Sequence, residues 1–195
     1  MKHMLLFLSV VSAVTLFSFT PGANGLKVNT SLSTVNWTGY KVTGKHHGLI
    51  NLKSGELQFQ DNKLVGGDFT IDMTSISCLD MTGDYADKLV NHLKSDDFFG
   101  VASFPTAQFK ISQAVPQGNG LYKLIGKLTV KGTTKDVRFN AQIKEENGVK
   151  VANAQIKLDR ADFNVKYGSG SFFDNLGDKT IYDEFDLDVK IVTQN

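Results

Sequence analysis

The stretch LYKLIGKLTVKGTTKDVRFNAQIK, residues 121–144, determines the fold class. Apolar and polar residues alternate over 122–130, and after a turn at 131–135 the alternation resumes over 137–143. A period of two residues gives a strand one apolar and one charged face. The pattern predicts an antiparallel hairpin with one face toward water. Because a hairpin cannot bury its apolar face alone, the fold requires further strands.

The rest of the chain supplies these strands. We expect them at residues 33–42, 44–53, 64–73, 107–114, 149–158 and 181–191, with a short additional strand after Ser54-Gly55 that carries Leu57 and Phe59. Gly66-Gly67 predicts a bulge, and apolar residues of both parities in the strand at 149–158 predict another near Val151. Eight or nine antiparallel strands with short turns are expected to close into an all-β barrel of about eight strands.

One segment has helical spacing. Between Asp84 and Lys94 the apolar residues Ala86, Leu89, Val90 and Leu93 recur at intervals of three and four. Asp84 is a plausible N-cap. This is the only helix that we predict in the mature chain, and its place between strands indicates a short helix packed near one end of the barrel as a lid.

Composition excludes several classes of protein. The chain has 195 residues and a net charge of +1, without a basic cluster, so we predict a single domain and no nucleic-acid partner. Cys78 is the only cysteine, which rules out an internal disulfide.

The N-terminus resembles an export signal. Lys2 precedes an apolar run over residues 5–19, and Pro21-Gly22 ends it. We therefore expect a secretory signal peptide at 1–25, a mature domain at 26–195, and a periplasmic or secreted protein. The alternative, an uncleaved membrane anchor, would need a run of about 20 apolar residues.

Seven short motifs follow one another along the mature chain: WTGYK at 37–41, GKHHG at 44–48, LVGGDF at 64–69, HLKSDDFF at 92–99, FPTAQF at 104–109, GKLTVKG at 126–132 and RADF at 160–163. In this order they resemble the successive signatures of the YceI-like family. The resemblance departs from the family pattern at Phe104, where a tyrosine is common, and in the long aromatic loop at 168–177.

The resemblance implies a lipocalin-like, eight-stranded antiparallel barrel that binds a polyisoprenoid, a quinone or another long-chain lipid in its interior. It implies no cofactor beyond such a ligand. Transient contact with a membrane during ligand exchange is expected, with a monomer or homodimer as the assembly. We expect the ligand to contact aromatic, aliphatic and basic side chains: Trp37, Lys41, His46, Leu93, Phe98, Phe99, Phe109, Leu128, Phe139, Arg160, Phe163 and Phe172.

Three alternatives to these expectations remain open. Arg160 either forms a structural ion pair with Asp162 or, with Lys41, meets an anionic head group. The three histidines His46, His47 and His92 suggest a metal-dependent or hydrolytic enzyme, although neighbouring residues of a strand point to opposite faces and no nucleophile motif occurs. A third possibility is a structural stress-response protein whose barrel is filled by its own side chains.

Overall fold

A computed structural model describes residues 24–194. These residues form nine strands and one α-helix: β1 (Asn24–Lys27), β2 (Thr34–Lys41), β3 (Gly44–Gln60), β4 (Lys63–Asp72), α1 (Gly83–Lys94), β5 (Thr106–Gly118), β6 (Leu121–Val130), β7 (Thr133–Glu146), β8 (Val149–Asp159) and β9 (Ile181–Val192). The predicted signal peptide lies outside the described residues except for Asn24 and Gly25, and its proposed cleavage site falls within β1.

Eight of the described strands close into an antiparallel barrel. Their order is β3, β2, β9, β8, β7, β6, β5 and β4, and β4 pairs again with β3. β1 pairs with the C-terminal half of β3, beside the stretch that β2 leaves free. The predicted hairpin of β6 and β7 is confirmed, with Gly126 opposite Val137. The predicted barrel with one helix is therefore the observed fold.

The two ends of the barrel differ. At one, which we name the floor end, short turns at residues 61–62, 119–120 and 147–148 join the strands. At the other, the portal end, two long connections at residues 73–105 and 160–180 cross the barrel. The shorter connection at 131–132 also lies there.

The prediction of two strands on either side of Ser54-Gly55 is wrong, because β3 is one continuous strand. Its register with β4 shifts between Leu52 and Ser54, which bends the strand without ending it. A side chain at Gly55 would lie 2.8 Å from Cδ1 of Phe69, so glycine lets the two strands pass closely at the bend. The predicted bulge beside Gly66 is confirmed by a second shift in the same pairing.

The predicted bulge near Val151 is also wrong. β8 keeps one register with β7 and with β9 throughout. Val151 lies opposite Val192, and both are buried, whereas Ala152 belongs to the main core. Apolar residues of both parities therefore reflect burial of both faces at the floor end of β8 only, since Asn153, Gln155 and Lys157 are exposed.

The helix begins at Gly83, one residue before the predicted N-cap, and Thr82 takes the N-cap position without a side-chain hydrogen bond. None of its residues is fully buried. Within residues 24–194 no helix combines the length and the hydropathy needed to cross a bilayer. The helix is a lid that rests on the barrel without being part of its core.

Candidate functional site

Two neighbouring chambers occupy the barrel interior. The inner chamber, toward the floor end, has a volume of about 120 Å³, and the outer chamber, toward the portal end, has about 300 Å³. Their walls share five aliphatic side chains: Val35, Ile71, Leu128, Leu158 and Leu187. The two chambers adjoin across these side chains; we call this boundary the waist and the two chambers together the cavity.

The inner chamber exists because small residues face its interior. Ala141 of β7 lies opposite Ala154 of β8, and Ala152 lines the chamber two residues away. At the floor, Leu64 is almost fully buried and its backbone N–H donates to the hydroxyl of Tyr122 at 3.3 Å. The floor end is thus sealed, while three short side chains leave room above it.

The segment at residues 76–80, which we name the strap, closes one side of the outer chamber. Its backbone pairs with β3: the Ser77 N–H donates to the Leu49 carbonyl at 3.0 Å and the Leu79 N–H to the His47 carbonyl at 2.9 Å. The indole N–H of Trp37 donates to the Ser77 carbonyl at 3.1 Å. A side chain at Gly48 would overlap that carbonyl oxygen, so glycine is required for the strap to lie there.

Asp80 fastens the end of the strap. Its carboxylate accepts the backbone N–H of His47 at 2.9 Å and lies 2.9 Å from Nδ1 of His46. The thiol of Cys78 donates to it at 3.3 Å. Burial raises the pKa of Asp80, but these hydrogen bonds outweigh burial and hold the pKa well below the usual carboxyl range. Asp80 is therefore an ionised latch.

The helix and the aromatic run after it form the roof of the outer chamber. Leu89, His92 and Leu93 of α1 line the chamber together with Phe98 and Phe99. The rings of Phe98 and Phe99 meet edge to face with centroids 5.6 Å apart. The partly exposed apolar face of α1 thus borders the cavity, and Leu93 also packs against the core.

Apart from Asn153 in the inner chamber, most polar residues that line the cavity lie at its portal end, which we name the mouth. Lys41 lines the outer chamber and forms no ion pair with any residue in 24–194. The hydroxyl of Tyr40 donates to Asp186 at 2.6 Å, and this hydrogen bond raises the pKa of Tyr40. The mouth can therefore accept a polar group beside Lys41, while the interior offers almost only carbon.

Nine of the twelve predicted ligand-contacting residues lie on this cavity. Trp37, Lys41, His46, Leu93, Phe98 and Phe99 line the outer chamber, Phe109 and Phe139 line the inner one, and Leu128 lines both. The fold brings them together from strands β2, β3, β5, β6 and β7 and from the helical connection.

Arg160, Phe163 and Phe172 line neither chamber. Phe163 is buried in a separate cluster with Val165, and Phe172 is exposed and covers the ammonium of Lys166 at 5.0 Å. These two phenylalanines stabilise the connection at residues 160–180 and do not border the cavity.

Arg160 is a structural anchor. The residue is only 3% exposed. Its guanidinium donates to the carbonyls of Val165, Ile181 and Tyr182 at 2.9 to 3.2 Å. Burial lowers its pKa, although the neighbouring carboxylate of Asp183 opposes that shift. Because all three guanidinium nitrogens donate to backbone carbonyls and Nη2 also pairs with Asp183, Arg160 is committed to the protein and not to a ligand head group.

The acidic partner of Arg160 is Asp183, at 3.1 Å, and not Asp162, which lies 3.6 Å from Lys135. The second oxygen of Asp183 accepts the hydroxyls of Ser169 and Ser171 at 2.8 and 2.7 Å. This network ties the long aromatic loop to β9. Sequence parity could not identify Asp183 because the contact depends on the fold of that loop.

Sequence reasoning also missed the strap, Gly48 and the three alanines. The alanines carry a readable signal, since inward-facing positions with small side chains leave space in a barrel of this size. Gly48 carries none, because only the path of residues 76–80 makes a side chain there impossible.

The histidines do not form a metal centre in the described part of the chain. No group of three histidine, cysteine or acidic side chains with the geometry to hold a metal ion occurs in residues 24–194. His46 and His47 both approach Asp80, at 2.9 and 4.0 Å. His92 packs against the ring of Tyr167 with centroids 4.3 Å apart.

A closed antiparallel barrel with a capped apolar interior defines the class of small β-barrels with an internal cavity. The sequence model of the YceI-like domain matches residues 26–193, so the chain belongs to the YceI-like family. Among curated relatives, a UPF0312 protein of Vibrio cholerae is 31% identical over 108 residues, 55% of this chain and 53% of that protein. The alignment thus spans about half the length of that relative. A UPF0312 protein of Vibrio parahaemolyticus is 28% identical over 134 residues, 65% of this chain and 69% of that protein.

Solved structures show the same fold. BcnA of Burkholderia cenocepacia superposes with a TM-score of 0.72 at 22% identity, covering 86% of this chain and 99% of that one. A domain of Saccharophagus degradans described as polyisoprenoid-binding superposes with a TM-score of 0.62 at 12% identity, covering 86% and 97%. A YceI protein of Campylobacter jejuni gives 0.56 at 18% identity, covering 100% and 99%.

Proposed function

We propose that this protein binds a long-chain apolar lipid, such as an isoprenoid or a quinone, inside its barrel, for transport, storage or sequestration and without chemical conversion. The observation that carries the proposal is the pair of adjoining chambers inside the barrel, whose walls are lined mostly by apolar side chains. The Saccharophagus degradans domain shares this fold and is described as polyisoprenoid-binding, which supports the same class of ligand here.

The energetics suit a ligand that is mostly hydrocarbon. Burial of one methylene contributes about 0.8 kcal/mol, so one five-carbon prenyl unit contributes roughly 3 to 4 kcal/mol before ordering costs. A chain that passes the waist at Leu128 and Leu158 reaches the space beside Ala141 and Ala152. Affinity therefore needs no special polar group, and the barrel is not filled by its own side chains.

The polar end of the ligand would remain at the mouth, beside Lys41. Of the two cations expected to meet a head group, Lys41 alone borders the cavity, because Arg160 is occupied by backbone carbonyls. Replacement of Lys41 by Met should weaken binding of a prenyl phosphate more than binding of the corresponding alcohol. Lys45→Met, four residues away and exposed, is the control.

Native mass spectrometry of the protein isolated from its own host tests the proposal. We expect a bound species that organic extraction removes and that has the mass of a long-chain lipid. A reproducibly empty barrel would contradict it. Export remains part of the proposal, and N-terminal sequencing of the same material would locate the cleavage site relative to Gly25. The elution volume of the purified protein in gel filtration would distinguish a monomer from a homodimer.

A further inference from the structure

The portal end carries most of the exposed apolar surface of the described chain. Only three of the large apolar side chains that are more than about a third exposed lie elsewhere: Leu32 before β2, and Val65 and Val115 near the floor turns. All the others lie on portal-end segments. Soluble proteins rarely concentrate such side chains in one region unless that region makes a contact.

Four of these side chains lie on or next to residues that line the mouth of the cavity, and we name them the rim: Val42, Leu79, Tyr85 and Tyr182. Their exposed fractions are 47%, 55%, 75% and 51%. Tyr182 itself lines the outer chamber, and Val42 directly follows the lining residue Lys41.

The other two rim residues adjoin the mouth through the strap and the helix. Leu79 pairs through its backbone with His47, the neighbour of the lining residue His46. Tyr85 lies one turn before Leu89 on α1, and residues four apart share a helix face. The rim is therefore contiguous with the opening and consists of an aliphatic pair and two tyrosines.

Charge does not select a strongly acidic or basic partner. Lys41 and Lys45 lie close to Val42 in the chain, and Asp84, Asp87 and Lys88 lie near Tyr85 on α1. The segments that carry the rim therefore hold both positive and negative groups. An apolar rim with tyrosines and mixed charges suits a bilayer interface, where amphipathic rings lie at the level of the head groups.

We propose that the rim docks on the surface of a lipid bilayer, so that the mouth of the cavity opens directly onto the membrane. This inference rests on the proposed function, because a tail that leaves the mouth would otherwise cross water, where its exposed hydrocarbon is costly. Contact with the membrane is made by shallow burial of Val42, Leu79, Tyr85 and Tyr182.

The chain offers matched variants to test the docking. The double substitution Val42→Ser and Leu79→Ser removes two rim side chains that line neither chamber. The double substitution Leu32→Ser and Val65→Ser makes the same two exchanges away from the mouth, at positions that are 59% and 41% exposed. All proteins are produced by export, so that they share the same N-terminus. Their co-flotation with phosphatidylcholine vesicles, with no ligand added, then measures docking alone.

We expect the wild type and the Leu32/Val65 variant to float equally, and the Val42/Leu79 variant to lose at least about tenfold in partition coefficient. Addition of phosphatidylglycerol or salt should change this little. Equal flotation of both variants, absence of flotation by the wild type, or flotation that requires phosphatidylglycerol and is abolished by salt would overturn the docking proposal. Thermal melts verify that both variants fold.

Binding of a dansyl-labelled polyprenol in solution, without vesicles, distinguishes this proposal from the proposed function. Both double variants should bind the probe as the wild type does. If the probe binds but no protein floats, the docking is wrong and the cavity function stands. If proteins float in the expected order but none binds the probe, the rim docks and the proposed ligand is wrong.

Discussion

The floor end and the portal end of the barrel are built in different ways. At the floor, short turns join the strands and Leu57 and Leu64 are almost fully buried. At the portal, α1, which has no buried residue, rests over a cavity together with the strap, in which only Ile76 is buried. Regions with few buried apolar contacts have low local stability, as binding lids require. The comparison indicates that the floor maintains the fold while the portal admits the ligand.

Arg160 belongs to the buried part of the portal end, with Phe163 and Val165, and its replacement should have the largest effect. Arg160→Met leaves Asp183 as an unpaired carboxylate that is 14% exposed, together with three carbonyls that lose their donor. We expect a loss of about 3 to 5 kcal/mol in the free energy of unfolding, measured in urea.

The control for Arg160 is the exposed ion pair of Lys127 and Asp136, at 3.0 Å. Lys127→Met should cost less than about 1 kcal/mol because water screens that pair. Similar losses for both variants would show that Arg160 does not anchor the portal connections.

A comparison of alanine substitutions at Gly48 and Gly39 tests whether the position of the strap depends on Gly48. Gly48→Ala places a methyl group against the Ser77 carbonyl and should cost about 1 to 3 kcal/mol by forcing the strap away. At Gly39, which lines the outer chamber, the same exchange meets nothing within 4 Å and should change stability by less than about 0.5 kcal/mol. Equal melting temperatures for both variants would contradict the role of the strap.

A substitution in the inner chamber tests whether the far end of a long ligand tail reaches that chamber. Ala152→Leu fills part of the space near the floor. Exclusion of about two methylenes should weaken binding of a long prenyl alcohol about tenfold, measured by titration. A short prenyl alcohol that reaches only the outer chamber is the control and should bind unchanged. Equal weakening for both ligands would place the tail elsewhere.

The smallest effect concerns the latch. Asp80→Asn removes the negative charge beside His46 and the His47 N–H. This should lower the free energy of unfolding by about 1 kcal/mol at neutral pH. Because the pKa of Asp80 is lowered in the folded state, its contribution is present above the ordinary carboxyl pKa of 3.8 and is lost as the pH falls below it. Melting curves of wild type and variant should therefore differ at pH 7 and converge in strong acid. A constant difference would contradict the assignment.

The sequence predicted what depends on periodicity. The alternation in β6, β7 and β9 and the helical spacing in α1 each follow from neighbours in the chain, and the structure has these elements. The prediction failed where distant segments intervene. β3 continues through Ser54-Gly55 because β1, β2 and β4 all pair with it. β8 buries Val151 and Ala152 on opposite faces without a bulge.

The candidate site was predictable where side chains face inward from strands. Trp37, Phe109, Leu128 and Phe139 follow from the pattern and the family resemblance, and they line the cavity. Arg160 did not, since three carbonyls from the fold of a long connection decide its role. Irregular segments have no periodicity from which such contacts could be read.

The central claim is that the barrel encloses one continuous path for a hydrocarbon tail. Trp37 is the only tryptophan and lines the outer chamber, so its emission reports occupancy directly. Titration of the wild type with prenyl alcohols of increasing length should give dissociation constants that fall with each added unit and level off when both chambers are full. Emission that does not respond to an alcohol of any length, or an affinity independent of length, would contradict the claim.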